Sequence, residues 1–246
     1  MIFSPPLDAY LDEQIRNLIQ PFHLLKHPFY QAWMAADLSI ENLRNYAIQY
    51  YPHVKAFPRF VSAIHSQCED SEARIFLLEN LIDEEGHQDK DHLNHPQLWK
   101  QFAEGVGVAS AELETALKSD GSHELVARFW SLCRSSYSEG LAALYAYEYQ
   151  VPEISTAKIQ GLRENYQIDH PKTLAFFEVH QKADVYHSDA CARLLNGLSK
   201  EEKHQALQSA KVAATALWEF LTDLTPCEIY QKYLPSLDSA AETLCQ

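Results

Sequence analysis

Apolar residues recur along this chain at intervals of three and four. After Ser39, an N-cap residue, Ile40, Leu43, Ala47, Tyr50, Val54, Phe57, Val61 and Ile64 form one seam, the mark of an amphipathic helix. Pro52 and Pro58 fall inside that seam and predict a kink. A second helix is expected from Ser71 to about Glu85, and a third from about Gly121 to Tyr149, with Pro152 marking its end. A short helix follows over about 153–165, and a long one from about Pro171 to just before Gly197. Ser199 and Glu202 then read as a capping box ahead of Leu207, Ala210, Ala214, Leu217, Leu221 and Leu224. No stretch sustains a period of two. The pattern predicts an all-α bundle of about seven or eight helices in a single domain over residues 1–225. Residues 226–246 have weak periodicity and read as a loose C-terminal tail.

Polar residues interrupt three of these seams. Phe177, His180, Asp184, His187, Cys191 and Leu194 are spaced 3, 4, 3, 4, 3. At about 100° per residue the three polar groups lie within roughly 60° of arc on an apolar face. Burying them unpaired costs several kcal/mol, and a metal ion that takes all three side chains compensates. Glu148 shares a face with Leu141 and Leu144. Glu84 shares one with Leu77 and Leu81, while Glu85 shares the adjacent one with Leu78 and Ile82, so periodicity does not choose between them. His87, His92 and His95 follow. Carboxylates and imidazoles on several helices are how bundles build two-metal sites. A ligand set of oxygen and nitrogen without thiolate suits iron or manganese better than structural zinc.

Composition narrows the class. The 246 residues are 46% hydrophobic with only 7 glycines, which favours long helices. A formal charge of −14 argues against nucleic acid or an anionic membrane as partner. No apolar run reaches the roughly 20 residues of a membrane helix. The start MIFSPPLDAY lacks the basic patch and apolar core of a signal peptide. Cys68, Cys133, Cys191, Cys227 and Cys245 show no CxxC spacing and are odd in number, as suits reduced thiols in a cytoplasmic protein.

Six segments carry a specific resemblance: HPFYQAW (27–33), YAIQYYPHVKAFPRFVSAIHS (46–66), ENLIDEEG (79–86), HPQLWKQF (95–102), ALYAYEYQVPEISTAKIQGL (143–162) and HQKADVYH (180–187). They resemble the family of the Chlamydia protein associating with death domains, within the haem-oxygenase-like di-metal oxidases. The likeness extends to about residue 224. It implies a haem-oxygenase-like bundle and six metal ligands, Glu84, His95, Glu148, His180, Asp184 and His187. It favours Glu84 as the first of two adjacent glutamates. His95 fits because it directly precedes PQLW. The stretch GHQDKDHLN is longer here than in the family, and His92 stays open as an alternative.

The implied activity is synthesis of para-aminobenzoate, the aromatic part of folate, from one of the protein's own tyrosines with an internal lysine as amino donor. The matching positions are Tyr30 and Lys158, with Tyr46 and Tyr147 close to the site. The implied cofactors are two ions (Fe/Fe or Fe/Mn), with dioxygen as co-substrate and an external reductant. A homodimer and death-domain proteins as partners are also implied. Without the resemblance, Tyr30 reads as packing and Lys158 as a solvent-facing helix lysine. Tyr145, Tyr147 and Tyr149 flank Glu148 and are candidates to relay electrons. Two divalent ions against three carboxylates leave a net single positive charge that a hydroxide or peroxide neutralises. Three other readings compete: a di-metal oxidase for an external small molecule, a thiaminase-like hydrolase using Cys133 or Cys191, and a protein-binding scaffold with a vestigial site.

Overall fold

The computed structural model describes residues 10–86 and 93–234. Among them are twelve α-helices, two short 3-10 turns and no strand. The helices are α1 (Leu11–Ile19), α2 (Pro28–Met34), α3 (Ile40–Gln67), α4 (Ser71–Glu85), α5 (His95–Gly105), α6 (Ser110–Thr115), α7 (Asp120–Ser135), α8 (Tyr137–Glu148), α9 (Val151–Glu164), α10 (Pro171–Asn196), α11 (Lys200–Leu224) and α12 (Cys227–Tyr233). The all-α expectation holds. The count is higher than expected because short helices such as α1, α2 and α6 offer too few turns for a periodicity to show. One hydrophobic cluster extends from Leu11 to Leu224. Among the described residues no helix is long and apolar enough to cross a membrane.

Two boundaries differ from the sequence reading. The stretch expected as one helix from Gly121 to Tyr149 is broken at Ser136, whose backbone is extended (φ −153°, ψ 165°). Its hydroxyl accepts from the Glu139 amide and donates to the Glu139 carboxylate at 2.8 Å, the pairing of an S-x-x-E start signal inside what looked like continuous helix. The expected loose tail begins instead with α12, which packs on α2 and places Tyr230 against the His27 ring. Its two turns are too short to betray themselves by periodicity; residues 235–246 lie outside those described. Pro52 and Pro58 both sit inside the single helix α3. Cys68, Cys133 and Cys191 are buried free thiols.

The arrangement serves the interior. α8 is buried on nearly every side, from Ser138 to Glu148, because its GLAALYA run is small or apolar all round. It packs against α11, α7 and α10. A Cβ on Gly140 would lie 2.7 Å from the Ile64 side chain, so glycine there lets α8 approach α3. Gly161 does the same for α9 and α2: its missing Cβ would fall 2.6 Å from the Trp33 ring. That contact sets the distance between the helix carrying Lys158 and the helix carrying Tyr30. Gly161→Ala is expected to lower stability by about 1–3 kcal/mol through overpacking, read as a lower urea midpoint at unchanged slope. An unchanged midpoint would show that the α2–α9 contact yields freely.

Candidate metal centre

Four helices deliver the polar cluster. α10 carries His180, Asp184 and His187 on its inner seam, α8 ends on Glu148, α4 ends with Glu84 facing inward, and α5 begins at His95. The start of α5 is fixed locally: Asn94 and Gln97 form a reciprocal capping box with Pro96 in the first turn. All six side chains are buried, none more than 4% exposed. Glu85 is exposed, so the inward carboxylate of this pair is Glu84. His92, the alternative to His95, lies outside the described residues.

The six fall into two groups of three. Atoms of Glu84, His95 and His180 lie within 4.8 Å of one another. His95 Nδ1 and Glu84 Oε2 are 2.7 Å apart, yet that nitrogen makes no aligned hydrogen bond. The second group is Glu148, Asp184 and His187. His187 Nδ1 stands 3.5 Å from Asp184 Oδ1 and 4.0 Å from Glu148 Oε1, again without a hydrogen bond, and Asp184 Oδ2 has no partner. Buried polar atoms left unpaired cost 1–3 kcal/mol each. Side chains that converge without bonding to one another fit a shared cation, and the donor set of carboxylate oxygen and imidazole nitrogen fits iron or manganese.

Outer contacts orient the histidines in the way metal-ligating imidazoles require. His180 Nδ1 lies 2.6 Å from the Phe176 carbonyl; donating there leaves Nε2 free to face inward. His187 Nε2 lies 3.1 Å from Asp83 Oδ2 at the rim, which leaves Nδ1 facing Glu148 and Asp184. Asn80 donates to Glu148 Oε1 at 2.6 Å and the Cys191 thiol to Glu148 Oε2 at 3.6 Å. The sequence reading missed Asn80 and Asp83. Asn80 lies one turn before Glu84, so the same seam that marks Glu84 also points to it.

Burial and charge set the protonation. Burial raises the Glu148 carboxyl to about 8, against the opposing pull of His187. Burial lowers His187, but the Asp184, Glu148 and Asp83 carboxylates outweigh it and lift the imidazole to about 9. Burial, aided by His95, lowers His180 to about 4. The thiol candidates are held protonated: burial pushes Cys133 up to about 12, and burial with the Glu148 carboxylate raises Cys191 well above its ordinary value. Neither suits a thiolate nucleophile.

A second cluster adjoins the first. Lys158 of α9 is buried, not solvent-facing, and no carboxylate among the described residues pairs with it. Its Nζ donates to the Tyr46 hydroxyl at 2.6 Å and lies 5.3 Å from the Tyr30 ring centroid, 4.9 Å from that of Tyr46 and 5.0 Å from that of Phe177. The Tyr30 and Tyr46 hydroxyls are 3.3 Å apart. Desolvation lowers the lysine to about 7 and raises both phenols, so free amine and neutral phenol coexist near neutrality. The cavity bordered by Tyr30, Tyr147, Ser155 and Lys158 holds about 20 Å³, room for a water but not an aromatic molecule. Tyr145 and Tyr149 are not part of this cluster: Tyr145 accepts from Arg16 at 2.9 Å and Tyr149 is 39% exposed.

A family described as iron-containing redox enzymes matches residues 44–218. A 4-aminobenzoate synthase of Chlamydia muridarum is 41% identical over 85% of this chain and 87% of its own. A TenA homologue from Pseudomonas syringae superposes with a TM-score of 0.74 at 19% identity, covering 91% of this chain and 98% of its own. A domain of unknown function with a haem-oxygenase-like fold, from Shewanella denitrificans, gives 0.68 at 13% identity over 91% of each chain. Identities that low carry the fold alone.

Two outcomes are expected. Ligation needs a free imidazole and an ionised carboxylate, whereas the metal-free site holds protons on Glu148 and His187 at neutral pH. Divalent iron or manganese should therefore release protons on binding and bind more tightly as pH rises from 6 towards 9. Calorimetry in buffers of differing ionisation enthalpy measures this, and buffer-independent heats would contradict it. Lys158 has a lowered folded-state pKa, so its cost to stability is full below about 7 and fades as pH rises towards its unfolded value of 10.5. Lys158→Met should stabilise by on the order of 1–4 kcal/mol, most at low pH, as read by thermal melts across pH.

Proposed function

The chain belongs to the iron-containing redox enzyme family, and from that premise we propose that this oxidoreductase is a di-metal, dioxygen-dependent oxygenase that makes para-aminobenzoate from its own Tyr30, with Lys158 as amino donor. The 41% identity to a 4-aminobenzoate synthase supports the product. The observation that carries the self-sacrificing part is the pairing of a buried amine at about 7 with a buried phenol ring, 5.3 Å from Nζ to centroid, beside a cavity too small for an external aromatic substrate.

The product's chemistry fits the position. Para-aminobenzoate has a ring, one attached carbon and one nitrogen. Made from tyrosine, it keeps the ring and Cβ: the Cα–Cβ bond breaks, Cβ is oxidised to carboxyl by dioxygen, and the ring trades its oxygen for the Lys158 nitrogen, whose bond to Cε breaks in turn. The amine must be unprotonated to attack, and the aromatic enclosure around Lys158 supplies that condition. Tyr46 holds the amine by its hydroxyl and contacts Tyr30 through the same oxygen, so one residue orients donor and acceptor. Glu84, His95, Glu148, His180, Asp184 and His187 would hold the two ions. A bound metal pair supplies the reduction of dioxygen, with electrons from an external reductant. An iron–manganese alternative and a homodimer belong to the same proposal and rest on the family resemblance; a cytoplasmic location belongs to it too and rests on the number and spacing of the cysteines.

One observation favours a second reading. A cleft of about 790 Å³, bordered by Asp83, His95, Lys172 and Lys182, opens beside the first group of ligands, and a small external substrate would fit there. The two readings separate by experiment. The protein is loaded with ferrous iron, with or without manganese, exposed to dioxygen with a reductant, and followed by intact mass and small-molecule analysis. The expected result is no more than a single para-aminobenzoate per chain, mass lost at Tyr30, and heavy nitrogen in the product when the chain's lysines carry it. Tyr30→Phe should yield none. Undiminished product from Tyr30→Phe would overturn the self-sacrificing reading, and repeated turnover of an added substrate would favour the cleft.

A further inference from the structure

The proposed chemistry draws electrons from outside the chain. The lysine side admits no donor, because its cavity holds only about 20 Å³. Among the described residues, an opening at Asn80, His187 and Cys191 holds about 10 Å³, no more than one water. The cleft of about 790 Å³ is different: the buried His95 ring forms part of its wall. Ala175, Val179 and Ala183, four residues apart on α10, line it as a shallow apolar strip, faced by Ile82 of α4 and Leu98 of α5. Two alanines and a valine leave room for a flat ring. Charge around the cleft is uneven. Asp83 is engaged by the His187 ring at 3.1 Å, and Glu178 accepts from Arg163 at 3.2 Å. The ammonium groups of Lys172 and Lys182 are exposed and have no partner among the described residues. Ten positions apart on α10, they stand about 15 Å apart along the axis, one at each end of the strip. In a chain of formal charge −14, two uncommitted cations flanking one apolar cleft select an anionic ligand. At the Lys172 end the cleft continues into a polar groove of about 460 Å³, with Gln101 and Lys172 bordering both. The groove's own carboxylates, Glu104 and Asp169, are engaged by Ser110 and Arg163.

We propose that this cleft docks the external reductant, a planar redox ring carrying a phosphate, with the ring against Ala175, Val179 and Ala183 and the phosphate on Lys172. The inference rests on the di-metal oxygenase reading, and it gives the cleft to the electron donor instead of an external substrate. The polar groove at Lys172 has room for the phosphate arm, and Lys182 stands at the far end of the ring. Flavin and nicotinamide nucleotides share this chemistry. A flavin suits the centre better: iron and manganese ions accept electrons singly and a flavin releases them singly, whereas a dihydronicotinamide gives up a pair as hydride. The balance closes. A reduced flavin loses two electrons and two protons to become the oxidised ring; each electron converts one ferric ion to ferrous, and the protons pass to solvent. His95 is the side chain between the two. Its ring borders the cleft while its Nδ1 lies 2.7 Å from Glu84 Oε2. A donor in the cleft therefore reaches the ligands without entering the dry interior that holds Tyr30 and Lys158.

The test starts with binding to the metal-free full chain, which needs no turnover. Flavin mononucleotide is titrated and its fluorescence quenching and anisotropy recorded, with riboflavin, which lacks the phosphate, and NADH as parallel probes. Flavin mononucleotide is expected to bind at least about tenfold more tightly than riboflavin, and Lys172→Glu to abolish that preference. Lys182→Glu should weaken both flavins. Val179→Trp, which fills the apolar strip from an exposed position, should remove binding of both while circular dichroism stays native. A second measurement mixes the ferric-loaded chain with reduced flavin mononucleotide without air. One flavin should be oxidised for every two ferric ions, at least about tenfold more slowly in Lys172→Glu. Binding of NADH in place of flavin, lost in Lys172→Glu, would uphold the cleft with nicotinamide as the ring. Absence of binding by either nucleotide, or equal binding by the native chain, Lys172→Glu and Val179→Trp, would overturn the site. Para-aminobenzoate formed from limiting reduced flavin as fast by Lys172→Glu as by the native chain would overturn the assignment and leave the self-sacrificing reading intact. Flavin bound and oxidised in the cleft of a native chain that makes no para-aminobenzoate would uphold the assignment and remove that reading.

Discussion

Charge buried in an apolar interior constrains everything else in this structure. Three carboxylates, three imidazoles and one amine sit where the surroundings are aliphatic or aromatic, and each would cost several kcal/mol if left ionised and unpaired. The bundle answers this in two ways. On the ligand side it gathers opposite charges and leaves Asp184 Oδ2 and two imidazole nitrogens turned toward a common interior without hydrogen bonds of their own, an arrangement a cation completes. On the lysine side no carboxylate among the described residues pairs with the amine, which yields by giving up its proton near neutrality. The same desolvation that lowers the lysine raises the tyrosines around it, so a nucleophilic amine and intact phenols coexist in one dry volume.

The scaffold makes that dryness possible. α8 is enclosed on nearly every side, so Tyr147 and Glu148 at its end arrive in the interior as buried side chains. Glycines at 140 and 161 let α8 close on α3 and α9 close on α2. The inward-facing histidines are held from outside by the Phe176 carbonyl behind His180 and Asp83 behind His187. Such supports fix which ring nitrogen faces the centre. The fold itself does not dictate this chemistry, since TenA homologues share it at low identity. What distinguishes this chain is the side-chain set, and the high thiol pKa values of Cys133 and Cys191 argue against the nucleophilic alternative.

Much of the buried polar cluster was legible along the chain because α10 carries three of its members on one seam, and polar residues on an apolar seam are visible without coordinates. Glu148 showed for the same reason. Glu84 and Glu85 were equivalent by periodicity, and only packing turned one inward and the other to solvent. Asn80 was missed although it shares the Glu84 seam, and Asp83 because a polar residue on an exposed helix face carries no signal until its partner is known. The break at Ser136 was missed although its S-x-x-E signature was present, since apolar periodicity continued across it.

By itself, the sequence determined the helical class, the long helices from Ser39, Ser71, Pro171 and Ser199, and the presence of a metal-suited seam at His180, Asp184 and His187. These follow from interactions between residues three or four apart, which any helix brings together. Tertiary structure alone decided that Lys158 is an enclosed amine rather than a surface charge, and that Tyr30, Tyr46, Tyr50 and Tyr147 form a connected series. Lys158 and Tyr46 are 112 positions apart, and Tyr50 and Tyr147 are 97 apart. No local pattern encodes such a meeting; it exists only because α2, α3, α8 and α9 close around one interior and exclude water from it.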